Sequence, residues 1–340
     1  MERSRRSEMR RIVLLAALVS LNPACKRTAR EVVVYTSVDQ VFSEPLFKEF
    51  ERKSGIAVRA VFDTEETKST GVLNRLIGEA SSPQADVFWS GDPVRPFVLI
   101  KRGLIAPYES PNAAGIPPAF RASDGSWTGF AARVRVLLVN RNRVPSSAMP
   151  RSIKDLADPR WKGATAIANP LFGTTTMHVA ALFNAWGEEQ GRAFLQALKD
   201  NQARIASSNG EVKRLVASGE VAFGVADTDD AQEALAEHAP VEVVFPDQGG
   251  LGALVMPTTV SLLRGSPHPD AGKKLIDFLL RPEVERRLAE TAAHVPLRPG
   301  VPTPPGVRRA SDFKAMSVDY ASVAEEMERM QPWLKGWVGL

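Results

Sequence analysis

Three short polar segments directly follow apolar, β-branched runs. Thr36–Asp39 follows Val32–Tyr35, and Ser90–Asp92 follows Ala85–Trp89. Asp227–Asp230 follows a third such run in the same way. Ligands of open α/β sheets bind beyond the carboxyl ends of the strands. We therefore predict ligand-binding residues at these three places: Ser37, Asp39, Ser90, Asp92, Asp227, Asp229 and Asp230. The alternative is that each is a capped turn, because Asp, Ser and Gly favour turns.

Two further segments could bind an anion. Gly173, Thr174 and Thr175 open a predicted helix, where free N–H groups and hydroxyls favour negative charge. Asn209 precedes another predicted helix. Simple capping of the helices is the alternative for both.

The sequence contains no recognisable catalytic set. It has no G-x-S-x-G serine motif, and the glycines of Gly265–Lys273 have the wrong spacing for a phosphate loop. The four histidines form no i, i+4 pair, so we interpret them as surface or structural residues: His178, His238, His268 and His294. We therefore expect a protein that is not an enzyme and that has no cofactor.

The elements that would position these residues alternate between strand and helix. Ser43 is the predicted N-cap of the first helix, and Arg133–Asn140 is a long strand that could leave one lobe and enter another. The pattern predicts an α/β protein of two lobes, each a doubly wound sheet, joined by hinge strands (type II). Lobe 1 would comprise residues 31–132 and 258–340, and lobe 2 residues 133–257. One large doubly wound domain is the alternative.

The first 25 residues indicate export. Arg10 and Arg11 precede the apolar run Ile12–Val19, which is too short to span a bilayer and typical of a signal peptide. Ala24 before Cys25, the only cysteine, indicates lipidation at Cys25, with an ordinary signal peptide as the alternative. Residues 1–30 hold eight of the 43 Lys and Arg and two of the 39 Asp and Glu, so residues 31–340 carry a formal charge of −2. The body thus gives no electrostatic reason to expect a nucleic-acid partner.

The chain resembles the ferric-iron-binding branch of periplasmic solute-binding proteins of ABC importers (family 1 extracellular solute-binding proteins). The resemblance runs from about Val32 to Leu297. Its most specific pieces are Val34–Ser37, Ala85–Asp92, Asn209 with Ser218–Ala222, and Gly265–Pro269 leading to Asp277–Leu280. It implies ligand capture by lobe closure, a periplasmic location, and docking onto an ABC permease with its ATPase. It also leads us to expect a monomer that contacts the membrane only through an N-terminal lipid.

The resemblance also implies a ligand set, from which this chain departs. Members that hold ferric iron use a Tyr-Tyr pair, which aligns with Asp229 and Asp230, and a histidine, whose position falls near Asp39. Their glutamate position falls at Gly91, beside Asp92. The synergistic-anion site of the family maps to Gly173–Thr176 and Asn209 and is retained.

The acidic residues could ligate a hard cation such as Fe³⁺ through oxygen, at Asp39, Asp92, Asp229 and Asp230. They could equally pair with the ammonium group of a zwitterion, for example an aminophosphonate or an amino acid. We therefore expect the substrate-binding component of an importer for ferric iron or an iron complex. The alternatives are a binding protein for a zwitterionic organic solute and a secreted metal-dependent hydrolase.

Overall fold

The computed structural model describes residues 30–63 and 71–339. The predicted signal peptide and Cys25 lie outside the described residues. Within the described residues, no helix is both long and apolar enough to cross a membrane.

The described residues contain ten strands and ten α-helices, which alternate along much of the chain, as the sequence pattern predicts. The strands are β1 (Glu31–Thr36), β2 (Ala57–Phe62), β3 (Val87–Ser90), β4 (Ile105–Ala106), β5 (Thr128–Asn140), β6 (Thr165–Ala168), β7 (Arg204–Ala206), β8 (Phe223–Asp227), β9 (Val241–Val244) and β10 (Val255–Leu263). The helices are α1 (Gln40–Ser54), α2 (Gly71–Gly78), α3 (Arg95–Lys101), α4 (Gly173–Trp186), α5 (Glu188–Asp200), α6 (Asn209–Ala217), α7 (Thr228–Ala236), α8 (Pro269–Leu279), α9 (Pro282–Ala292) and α10 (Tyr320–Val338).

The prediction that Ser43 caps the first helix is wrong. Helix α1 already begins at Gln40, after Asp39. Ser43 lies buried inside the helix, where its hydroxyl donates to the carbonyl oxygen of Asp39 at 3.0 Å. A serine can bond back to the carbonyl four residues earlier, so its presence does not require a helix start.

The strands follow the order β2-β1-β3-β10-β5-β8-β6-β7, with β4 beside β10 and β9 beside β5. Strands β1, β2 and β3 pair in parallel, and so do β6, β7 and β8. Each parallel group is bordered by an antiparallel strand, β10 on the first and β5 on the second. The polar segments after β1, β3, β6 and β8 thus lie at the carboxyl ends of parallel strands.

Strand β5 connects the two groups, because its two halves pair with different strands. Thr128–Val134 pairs with β10, and Arg135–Asn140 pairs with β8 and β9. Near the junction, Ala131 has a positive φ of 46°, and the register on β10 shifts between Pro257 and Thr258. The predicted long strand therefore exists, and it begins five residues earlier than predicted.

Helix α10 contacts helices that follow strands of both parallel groups. It packs mainly on α4 and also touches α3. Tyr320, at its start, is buried and donates its hydroxyl to the carbonyl oxygen of Val255 at 2.9 Å. The predicted lobe boundaries stay a prediction.

Candidate ligand-binding site

A cavity of about 1800 Å³ lies beside the carboxyl ends of the parallel strands. All the predicted ligand-binding residues except Ser90 line it. Ser90 is fully buried, and its hydroxyl accepts the backbone N–H of Asp92 at 3.3 Å. The structure thus brings residues from distant parts of the chain to one space, although Ser90 only supports the loop beneath it.

Asp227 lies on the floor of this cavity, and a buried ion pair joins it to Arg135 beneath. Nη1 of Arg135 lies 2.7 Å from Oδ1 of Asp227, and the side chain of each is 1% exposed. Strand pairing places the two residues opposite each other, on β5 and β8. A buried charge is tolerated only when it is paired and hydrogen-bonded, so each residue fixes the other.

The start of α4 forms a hydroxyl-rich wall against this ion pair. The Thr174 hydroxyl donates to Oδ2 of Asp227 at 2.9 Å and accepts from Nδ2 of Asn209 at 2.9 Å. Nη1 of Arg135 donates to Asn209 at 3.0 Å, and Nη2 donates to the Thr175 hydroxyl at 3.2 Å. We name Arg135, Thr174, Thr175 and Asn209 the cradle. Its hydroxyls and helix N-terminus can stabilise an anion, and the fully buried Arg135 holds these hydroxyls from beneath.

A second arginine links the two sides of the cavity. Nη2 of Arg133 donates to the carbonyl oxygen of Gly91 at 2.9 Å, and Nη1 donates to Oδ2 of Asp227 at 3.3 Å. Nη1 also lies 4.0 Å from Oδ2 of Asp229. Arg133 therefore places a fixed positive charge between the loop after β3 and the start of α7.

Three carboxylates at the start of α7 form an acidic group. One oxygen from each of Asp227, Asp229 and Asp230 lies within 4.8 Å of the others. Burial, then repulsion between the carboxylates, raises the pKa of Asp230 to about 7. Burial also raises the pKa of Asp229, to about 6, although Arg133 opposes the shift. A hard cation would relieve this repulsion and accept these oxygen atoms as ligands.

The predicted metal set is only partly brought together. Asp229 and Asp230 lie in the acidic group, which has Asp227 as its third member among the described residues. Asp92 instead accepts the backbone N–H groups of Val94 and Arg95 through Oδ1, at 3.0 and 3.1 Å. Asp39 precedes α1 and also lines the cavity. These two aspartates thus belong to the cavity wall and not to the acidic group.

Several buried polar atoms along the cavity have no hydrogen-bond partner. They are Nε of Arg135, Oγ1 of Thr176, Oδ1 of Asp229 and Nδ1 of His294, while Nε of Arg95 forms only a long ion pair with Oδ2 of Asp92, at 3.5 Å. Arg135 supports the floor, and the others belong to residues that line the cavity. Unpartnered buried polar atoms are rare in proteins, and a ligand that reached these atoms could supply the missing hydrogen bonds.

Three residues of this site were missed by the sequence analysis: Arg133, Arg135 and His294. Arg133 and Arg135 alternate within a strand that is otherwise apolar. Residues i and i+2 of a strand point to the same face, and two arginines on a buried face require anionic partners. That pattern could have predicted them.

None of the three tyrosines lines the cavity. Tyr35 donates to Glu79 at 2.9 Å, Tyr108 donates to Asp277 at 2.9 Å, and Tyr320 donates to a backbone carbonyl. The folded protein therefore offers no tyrosine ligand in this cavity, unlike the iron-binding members of the family that it resembles.

Comparison with known proteins identifies the family. Residues 82–322 match the model of the family described as bacterial extracellular solute-binding protein. Iron uptake protein A1 of Synechocystis is 30% identical over 298 residues, which are 84% of this chain and 81% of that protein. A putative 2-aminoethylphosphonate-binding periplasmic protein of Salmonella typhimurium is 26% identical over 91% of this chain and 88% of its own length.

Solved structures confirm the predicted fold class. Iron-bound HitA from Pseudomonas aeruginosa superposes with a TM-score of 0.81 at 25% identity, covering 92% of this chain and all of that one. The periplasmic binding protein AfuA of Actinobacillus pleuropneumoniae, with fructose-6-phosphate bound, gives a TM-score of 0.76 at 24% identity, covering 91% and 99%. The predicted two-lobed α/β fold is confirmed. The chain belongs to the bacterial extracellular solute-binding proteins and is a substrate-binding component of a transport system.

Proposed function

We propose that the protein captures ferric iron together with a small oxyanion and delivers it to an ABC importer. The observation that carries this proposal is the acidic group, Asp227, Asp229 and Asp230, beside the cradle in one cavity. Carboxylate oxygens are suitable ligands for a hard trivalent cation, and the cradle suits the anion that accompanies it.

Asp229 and Asp230 would be the metal ligands from lobe 2. Asp227 is already held by Arg135, Arg133 and Thr174, so its role is to position them. Asp39 and Asp92 would complete the ligand set from lobe 1 when the lobes close, with Ser37 beside them. A cavity of about 1800 Å³ is larger than a bound ion requires, which supports closure as part of capture.

A zwitterionic solute such as an aminophosphonate is the second candidate. The observation that favours it is the absence of tyrosine from the cavity lining, because phenolate ligands are then unavailable to iron. The same cradle would bind the phosphonate, and Asp229 and Asp230 would bind the ammonium group. The Salmonella relative named for 2-aminoethylphosphonate binding supports this candidate.

We further propose that the protein acts in the periplasm as a monomer without catalytic activity or a cofactor. Its partners would be the permease and ATPase of the importer, and Cys25 would carry a lipid anchor. The relatives are binding proteins, which supports the proposal that this chain is not an enzyme. The proposed hinge would separate residues 31–132 and 258–340 from residues 133–257, with β5 as one of its strands.

The test is equilibrium dialysis of the apoprotein against ferric iron with bicarbonate, phosphate or citrate, followed by elemental analysis. We expect one iron per chain in wild type and loss of iron in the double variant D229N/D230N. Asp270→Asn is the control, because Asp270 also lies in the first turn of a helix and its side chain is 93% exposed. Binding of 2-aminoethylphosphonate without any metal would establish the second candidate, and binding of neither would refute both.

A further inference from the structure

His294 occupies a defined position beside Arg133. Val295 and Ala132 form an antiparallel bridge, with N–H to oxygen distances of 2.8 Å and 2.6 Å in the two directions. In an antiparallel pair, the next residues along each strand are opposite each other, so His294 faces Arg133. His294 also lines the cavity.

The imidazole of His294 has a buried nitrogen without a partner. The residue is only 4% exposed, yet Nδ1 forms no hydrogen bond. Leaving such an atom unpaired costs free energy that a purely structural histidine would avoid. Burial, and then the positive charge of Arg133, lowers the pKa of His294 to about 3, so the ring is neutral.

The neighbourhood of this nitrogen favours an oxygen atom of the cargo. Arg133 supplies a fixed positive charge directly opposite, which opposes a bare cation at this ring, while the carboxylate of Asp227 acts in the other direction. A neutral imidazole can donate from one ring nitrogen, and which nitrogen carries the proton depends on the bond that forms. Nδ1 of His294, which lacks a partner, is therefore suited to donate its hydrogen to an oxygen of an oxyanion.

We propose that His294 determines specificity by donating a hydrogen bond through Nδ1 to an oxyanion of the cargo. The inference rests on the proposed function, because both candidate cargoes contain an oxyanion. His294 lines the same cavity as Thr174, Thr175 and Asn209 of the cradle but comes from a different element, so an anion with several oxygens would be needed to contact both. Phosphate, a phosphonate or a polycarboxylate belongs to this class.

Three substitutions test which ring nitrogen matters. His294→Asn places an amide nitrogen near the position of Nδ1, His294→Gln places one near the position of Nε2, and His294→Ala removes both. We expect His294→Ala and His294→Gln to weaken binding of ferric iron with phosphate about three- to tenfold, the loss of one hydrogen bond. His294→Asn should stay within about twofold of wild type. His238→Asn is the control, because His238 is exposed and does not line the cavity.

A second measurement does not depend on the folding of the variants. Wild-type protein labelled with ¹⁵N-histidine is loaded with Ga³⁺, a diamagnetic substitute for Fe³⁺, and phosphate. We expect the Nδ1 signal of His294 to shift to that of a protonated, hydrogen-bonded nitrogen, while the signals of the exposed His238 stay unchanged.

An unchanged Nδ1 signal in a protein that binds its cargo would overturn the inference and leave the proposed function intact. Equal affinities of His294→Ala and wild type would do the same, and so would equal losses in His294→Asn and His294→Ala. If wild type binds neither ferric iron nor 2-aminoethylphosphonate in the presence of these anions, the proposed function fails together with this inference.

Discussion

Replacing Asp230 by asparagine should stabilise the apoprotein, although it removes a proposed metal ligand. Burial, then repulsion by Asp229 and Asp227, raises the pKa of Asp230 from 3.8 to about 7. The folded state therefore binds this proton more tightly than the unfolded chain. The free energy of unfolding should fall as the pH rises from about 4 to about 7, and should be level above that range.

The size of the effect follows from the shift. A shift of about three pKa units corresponds to about 4 kcal/mol for a fully buried group, at about 1.4 kcal/mol per unit. Asp230 is half-buried, so solvent screens part of this, and we expect Asp230→Asn to add about 1–2 kcal/mol near pH 8. The asparagine oxygen can still accept the backbone N–H of Asp227, which Asp230 accepts at 3.3 Å.

Urea denaturation at a series of pH values measures this difference. The gain in the free energy of unfolding should shrink as the pH falls and vanish below about pH 4, where the carboxylate is protonated in both states. Asp270→Asn, in the first turn of α8 but exposed, should change the free energy of unfolding by less than about 0.5 kcal/mol. An Asp230→Asn variant that is less stable than wild type near pH 8, or a gain independent of pH, would refute the reasoning.

Three further results are expected from the same site. Arg135→Met should lower the free energy of unfolding by about 3 kcal/mol in urea denaturation, because it leaves Asp227 buried with one partner fewer. The control, Arg160→Met, breaks an exposed ion pair and should lower the free energy of unfolding by less than about 1 kcal/mol. The ferric-loaded protein should show no visible phenolate-to-iron charge-transfer absorption, since no tyrosine lines the cavity. Metal binding should release about one proton near pH 6.5 and almost none near pH 9, measured by calorimetry in buffers of different ionisation enthalpy, because Asp229 and Asp230 must ionise to ligate.

The sequence predicted the fold well because strand and helix periodicities differ sharply along this chain. Runs such as Val32–Tyr35 and Val221–Ala226 are apolar over their whole length, as strands covered on both faces must be. Polar residues at their ends could then be placed at one edge of the sheet. The error at Ser43 shows the limit, because a serine forms similar local hydrogen bonds at a helix start and within a helix.

The site was predicted less completely than the fold because its charges come from residues that sequence patterns assign elsewhere. Arg133 and Arg135 lie in a strand interior, and His294 follows a helix with no metal-ligand spacing near it. Their roles depend on the pairing of β5 with β8 and with Val295, which are distant in sequence. Only the tertiary structure brings these groups to the acidic residues.

The two arginines determine what kind of charge the cargo must carry. Asp227 is held by both guanidinium groups, so Asp229 and Asp230 are the carboxylates that remain for a ligand. A bare trivalent ion at these residues would be repelled by the positive charge of Arg133, which lies 4.0 Å from Asp229. A simple anion in the cradle would be repelled by the carboxylates of the acidic group. A cargo with both signs of charge, either a metal bound with its oxyanion or a zwitterion, satisfies both halves of the cavity at once.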